Sequence, residues 1–466
     1  MFSGGVIGFG MANFRDYDRS QGFLLPPDLR DWVADDDIAH FIIEAVERVP
    51  LGAFRVNERG TGKAQYHPRM MLALLIYCYA HGVFSSRRIE RATHRDVSVR
   101  FIAADQHPDH DTIARFRARN QEAIEAAFAQ VLLMAREIGV LKVGAVSIDG
   151  THLHANASKI RSVRYDRVQV LRARLRADIA ELMTKAAEAD AADEEDDRLP
   201  AEITRRERLV AKLDEAAARL EADAQAEAEA ARPDYEKKAA AHAAKAQAGQ
   251  RRGSPPQPPE EKPAPARQTN LTDPDSRLMR KSGRHAYAQA YNAQAAVDAD
   301  GSQLVLAGDV IQQPSDHGAL APMVRQICRR VGRPETVLAD AGYGDGGSIA
   351  AVEEMEIEAL VSPGGCASPR PYDFRPPPDA PPPKRKMRAP WRLRMREKLQ
   401  TDDGKTKYRK RKHTVEPVFG IIKSVLGFTR FNLRGLQGVK SEWRLVTLAY
   451  NVKRLAKLKA NAIAFA

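Results

Sequence analysis

Three acidic residues stand apart from the many solvated ones in this 466-residue chain. Asp149 follows the alternating, β-branched segment LKVGAVSI, Asp340 closes ETVLAD, and Glu416 lies in RKHTVEPVFGIIK. The first two read as the carboxyl ends of buried strands, the place where ligands collect in open α/β sheets. If those strands are neighbours, both carboxylates converge, and two like charges that close call for a divalent cation between them. Asp oxygens completed by water suit Mg²⁺ or Mn²⁺. Thr414 as an N-cap, with Pro417 tolerable only in a first turn, sets Glu416 near a helix start. Lys423, two turns further along the same face, can follow a metal site onto a phosphate backbone.

Each residue alone has a plainer account. Asp-Gly after a strand is usually a turn, and Glu at a helix N-terminus usually complements the dipole; the ordered set of three is what points to chemistry. His152 and His154 follow Asp149 without a companion His or Cys cluster. Gly342-Tyr343-Gly344-Asp345-Gly346-Gly347 lacks the Lys-Ser/Thr of a phosphate loop and reads as a tight turn behind a strand. Tyr343 is expected either to stack on a base or sugar or to pack.

Lys and Arg number 73 against 61 Asp and Glu, a formal charge of +12, which suggests a polyanionic partner. Much of the excess lies between Lys384 and Lys412, read as flexible charge suited to phosphates. The longest apolar run, Met70–Ala80, is too short to span a bilayer, and the N-terminus lacks the basic and apolar regions of a secretory signal. Cys78, Cys328 and Cys366 lie far apart, against a disulfide scaffold or a cysteine zinc site. A soluble cytoplasmic, nucleoid-associated protein is the expectation.

Around these residues the periodicity predicts several units. Residues 12–140 read as a helical DNA-binding domain. Its helices span Ile38–Val49, His67–Gly82, Ser85–His94, Asp111–Asn120 (Asp-capped) and Gln121–Gly139, and resemble a helix-turn-helix. Thr112, Arg115 and Arg119 share one face of the fourth. Residues 141–160 and 269–466 read as the sheet-bearing domain, with strands ending at Asp149 and Asp340, strands His285–Asp298, Gln303–Gln312 and Ile357–Gly364, and helices Gly318–Val331, Ser348–Met355, Val415–Leu426 and Glu442–Leu458. Between them, Val168–Leu182 and Ile203–Ala224 step by 3 and 4, predicting an antiparallel coiled-coil insertion over 161–250. Pro-rich linkers follow at 251–268 and 368–390.

IDGTHLHANASK, AYNAQAAVD, VLADAGY and HTVEPVFGIIKSVLGFTRFNLRGL resemble the DDE transposases of bacterial insertion sequences, and QGFLLPPDLRDWV and HPDHDTIARFRARN resemble the N-terminal domain of the same branch. The resemblance runs from about Met11 onward. It implies an α/β, RNase H-like mixed sheet with flanking helices, carrying two Mg²⁺ (or Mn²⁺) ions on Asp149, Asp340 and Glu416. The family pattern around the glutamate matches at Tyr408, Arg411, Glu416 and Lys423, but four residues instead of three separate Arg411 from Glu416, so Lys412 is the alternative cation. Two ions about 3.5–4 Å apart would activate a water or 3′-OH and stabilise the leaving oxygen.

The expected function is therefore a transposase that binds the terminal inverted repeats of its element, cleaves there and joins the 3′-OH to a target. It would act on double-stranded DNA, as a homodimer, with no membrane partner. Expected DNA contacts are Arg115, Arg119, Tyr343, Tyr408, Arg411, Lys412 and Lys423. The rivals are a catalytically silent DNA-binding descendant and an RNase H-like nuclease that does not rejoin.

Overall fold

A computed structural model of the chain describes residues 28–56, 64–191, 198–247, 253–280, 285–364 and 389–464. The segment before Asp28, Cys366, most of the second Pro-rich stretch with Lys384, Arg385, Lys386 and Arg388, and residues 192–197 of the acidic break lie outside the described residues.

Six α-helices come first: α1 (Ile38–Glu47), α2 (Pro68–Ala80), α3 (Ser86–Arg95), α4 (Val97–Ile102), α5 (His110–Arg119) and α6 (Gln121–Glu137). Strand β1 (Ala145–His154) opens the sheet. The insertion follows, with β2 (Ser162–Arg164), α7 (Tyr165–Ala191), α8 (Arg198–Gln247) and β3 (Gln268–Asn270). Then come β4 (Arg277–Met279), β5 (Ala288–Asp298), β6 (Val305–Ile311), α9 (Leu320–Val331), β7 (Thr336–Ala339), α10 (Gly346–Glu353) and β8 (Glu358–Val361). The chain closes with α11 (Pro390–Gln400), α12 (Asp402–Arg409), α13 (Val415–Gly420) and α14 (Leu436–Ala464).

The main sheet runs β4-β5-β1-β7-β8, with β6 also on β5. β1 is antiparallel to β5 and parallel to β7, and β7 is parallel to β8. This mixed α/β arrangement agrees with an RNase H-like domain. β5 is Ala-rich and buried almost throughout, so the bulky side chains of α14 can approach it closely. Trp443 of α14 is fully buried and donates from Nε1 to the Gln294 carbonyl.

The N-terminal helices share the sheet's hydrophobic core. One continuous cluster joins Leu72, Leu75 and Tyr79 of α2 and Phe128 and Val131 of α6 to Trp443, Leu448 and Tyr450 of α14. α2 is buried on every face from Met71 to Ala80, which accounts for its uninterrupted apolar run. A polar chain crosses this core. Arg117 Nη1 of α5 donates to Tyr79 Oη (2.7 Å), and Tyr79 donates to Glu442 Oε1 (3.2 Å). Glu442, fully buried, also accepts the amides of Asn432 and Leu433, in the turn beside the end of β1.

α7 and α8 pack antiparallel, as their 3–4 stepping predicts: Tyr165 meets Glu221, Arg172 meets Asp214 and Asp178 meets Arg206. Their seam of Val168, Leu171, Leu175, Leu209, Leu213 and Ala217 is separate from the main core. Asp273 and Asp275 tie the base down by receiving the Gly435 and Leu436 amides at the start of α14, and Asp275 also pairs with Arg219 of α8.

Several local expectations change. α5 is capped by Asp109, not Asp111, since the Thr112 amide and hydroxyl both reach Asp109. β1 continues five residues past Asp149, because β5 pairs with it up to His154. The first Pro-rich stretch lies against the insertion instead of spanning open solvent, through Arg232–Glu261 and the Asp166 amide on Pro265. The basic stretch from Pro390 to Arg409 forms α11 and α12 instead of flexible chain. Lys398 pairs with Glu353, Lys407 with Glu358, and Lys410 with Asp300.

Candidate active site

The β1–β7 register pairs Val146 with Val337 and Ser147 with Leu338. Two steps on, the same register sets Asp149 level with Asp340, just where the pairing ends. The two aspartates singled out in the sequence are thus side by side. Asp149 Oδ1 accepts the Gly150 amide (2.8 Å), and Asp340 Oδ1 accepts the Gly342 amide (2.7 Å).

A third carboxylate that the sequence reading missed faces them. Asp316, between β6 and α9, presses against Gly150 and Gly342. A Cβ on Gly150 would overlap the Asp316 carboxylate, and one on Gly342 would stand 3.1 Å from Asp316 Oδ2. Both glycines are therefore required by close approach, and Gly150 is a strand residue, not a turn. Asn292 and Gln294, alternate residues on one face of β5, donate their side-chain amides to Asp316 Oδ1 at 2.8 and 2.7 Å. Two polar residues at this spacing in an otherwise apolar buried strand were the available signal.

Burial pushes the Asp149 carboxyl up to about 6; Asp340 and Asp316 add to the rise, while the Gly150 amide and Arg411 oppose it. Arg411 Nη1 lies 3.6 Å from Asp149 Oδ2, and its Nε is buried without a partner. A buried group of carboxylates with one cation beside it fits a hard divalent ion in donor type and charge. Glu416 is exposed in the first turn of α13, and among the described residues no three acidic, His or Cys side chains close into a finished metal cage. Thr414 does not cap that helix; its hydroxyl donates to the Lys410 carbonyl.

The expected DNA contacts divide. Tyr343 is fully buried and donates to Gln294 Oε1, so it braces the site instead of stacking on a base. The same burial, with three nearby carboxylates, holds its hydroxyl well above its ordinary pKa. Tyr408 is half-buried and donates to the Ala339 carbonyl (3.1 Å), next to Asp340. Arg411 faces the acids, whereas Lys412 is exposed. Lys423 donates to Thr151 Oγ1 (2.5 Å) and to the His152 carbonyl. The backbone widens to a π turn over Ile421–Val425, so a regular two-turn spacing from Glu416 does not hold. His152 Nε2 bonds the Pro314 carbonyl. Arg115 and Arg119 are exposed on α5, whereas Arg117 between them is buried. α3 adds Arg87, Arg88, Arg91 and Arg95, all exposed and without an acidic partner among the described residues.

A family model for the transposase DDE domain matches residues 263–452, and one for a transposase domain (DUF772) matches residues 27–119. The chain belongs to the insertion-sequence DDE transposases. No curated protein and no solved structure matches it. The DDE match in this transposase holds Asp316, Asp340 and Glu416 but begins after Asp149, and the β1–β7 pairing is what brings that aspartate in. Transposases of this kind act on DNA and generally use divalent metal ions. No helix among the described residues is long and apolar enough to cross a membrane.

Proposed function

We propose that this transposase binds the terminal inverted repeats of its own element, cleaves DNA at the ends and joins the freed 3′-OH to a target. The observation that carries this reading is the level placement of Asp149 and Asp340 on adjacent parallel strands, the second of them inside the DDE match. Asp149 and Asp340 would hold Mg²⁺ or Mn²⁺, with Glu416 as the third acid. When bound, such ions activate the attacking oxygen and stabilise the leaving one at phosphorus.

The chain's own groups do the positioning. Arg411 offsets the carboxylate charge, and the exposed Lys412 offers a contact for backbone phosphate beside Glu416. Arg115 and Arg119 present one exposed helix face for a major groove. The insertion, with Val170 and Met183 exposed along it, supplies an arm for a second copy or for DNA, and two copies would pair two ends.

The test is incubation of the full chain with labelled duplexes from the DNA flanking its reading frame, plus Mg²⁺. End cleavage and joined products are expected, both abolished in Asp149→Asn. Cleavage without joining would favour a nuclease, and binding without cleavage a silent DNA-binding protein.

A further inference from the structure

The motif AYNAQAAVD has no part in a three-acid account, yet two of its side chains converge on one carboxylate. Asn292 Nδ2 and Gln294 Nε2 both donate to Asp316 Oδ1. Gln294 is itself fixed, with Nε2 also on Asn292 Oδ1 (3.0 Å) and Oε1 receiving the Tyr343 hydroxyl. Asp316 Oδ2 accepts no hydrogen bond among the described residues and is turned toward Gly342, whose amide binds Asp340. The three carboxylates follow one pattern. In Asp149, Asp340 and Asp316 alike, Oδ1 is held by an N–H donor, while Oδ2 receives none in Asp340 and Asp316 and only the distant Arg411 in Asp149. One oxygen braced by buried amides and the other left open is how outer-sphere groups orient a metal-ligating carboxylate.

We propose that Asp316 is a further ligand for the divalent cation, acting with Asp149 and Asp340 before DNA is bound, and that Asn292, Gln294 and Tyr343 are its positioning residues. The inference rests on the metal-site reading above. A purely structural Asp316 would serve only as an acceptor for the two amides, and an asparagine could do that through its carbonyl oxygen. The charge is surplus to that role. Gly150 and Gly342 belong to the same device, because any side chain at Gly150 would push Asp316 away from Asp149.

The experiment titrates the full chain, without DNA, with Mn²⁺ and follows free Mn²⁺ by its electron paramagnetic resonance signal. Asp316→Asn, Asp149→Asn and Asp340→Asn are each expected to weaken binding by roughly tenfold or more, and Gln294→Met by about 10–100-fold as the bracing goes. Asp316→Glu, which keeps the charge but moves the carboxylate by one methylene, is expected to weaken binding as well, and serves if the asparagine variant fails to fold. Parent-like affinity in the Asp316 variants, with Asp149→Asn and Asp340→Asn weakened, would overturn the proposal and leave the two-aspartate site standing. Equal binding by all the variants, or none by the parent chain, would overturn both readings.

Discussion

Arg411 stands 3.6 Å from the Asp149 carboxylate, and both side chains are largely withdrawn from solvent. The guanidinium occupies the side of Asp149 that a metal ion would also claim, so it holds a buried negative charge in the metal-free protein. Arg411→Gln is expected to leave Mn²⁺ affinity equal to the parent's or higher, because a competing positive charge is gone, while end cleavage falls. Mn²⁺ titration beside an oligonucleotide cleavage assay checks this. Weaker Mn²⁺ binding would mean that Arg411 mainly shapes the site.

The raised Asp149 carboxyl makes stability depend on pH in a definite direction. Between its ordinary value of 3.8 and about 6, the folded chain keeps a proton that the unfolded chain has released. The associated stability is fully present below the ordinary value and is lost as pH rises through about 6, a difference of about 3 kcal/mol. In chelator, Asp149→Asn should therefore melt a few degrees above the parent at pH 7.5, with the gap closing near pH 4. Calorimetric scans across that range decide it, and a gap independent of pH would contradict the assignment.

The sequence made the helices, the strands and the two strand-end aspartates legible, because periodicity and β-branched runs are local properties. Asp316 was not legible. It lies in an ordinary-looking turn, and its importance comes from Gly150, Gly342, Asn292 and Gln294, which only the sheet brings together. Tyr343 was misread for a related reason, since an aromatic after a catalytic strand looks available until the sheet closes over it. The basic stretch before Glu416 looked flexible because its partners, Glu353, Glu358 and Asp300, are remote in sequence.

Tyr79 carries the polar chain through the shared core. Tyr79→Phe keeps the ring but leaves Arg117 and Glu442 each short of a buried partner. A destabilisation of about 1–3 kcal/mol is expected for such unsatisfied groups. Urea unfolding should show it as a lower midpoint at unchanged slope. Because Glu442 also holds the Asn432–Leu433 amides, hydrogen exchange there should quicken in the same variant.

The two arginine-bearing helices separate positioning from reading. Replacing Arg87, Arg88 and Arg91 with Gln should weaken end and scrambled DNA alike. It should also flatten the salt dependence, by roughly 0.9 in log–log slope for each phosphate no longer neutralised. Arg115→Ala and Arg119→Ala should mainly erode preference for end DNA, by about 1–3 kcal/mol for each base edge no longer read. Affinities for both duplexes at two salt concentrations check the division. An equal drop on both sequences for the α5 variants would move sequence reading elsewhere.

The short β2–β3 ribbon changes what the insertion means for assembly of the sheet. Arg164 pairs with Gln268, so the chain leaves and re-enters the domain at one place. Closing a loop of roughly a hundred residues carries an entropic penalty that grows only as the logarithm of its length, and α7 against α8 can meet most of it locally before β5 seeks β1. The arm then behaves as a tether with almost no span. It can be lengthened, trimmed or exchanged over evolutionary time while Asp149 and Asp340 remain neighbours, provided the ribbon that closes its base is kept.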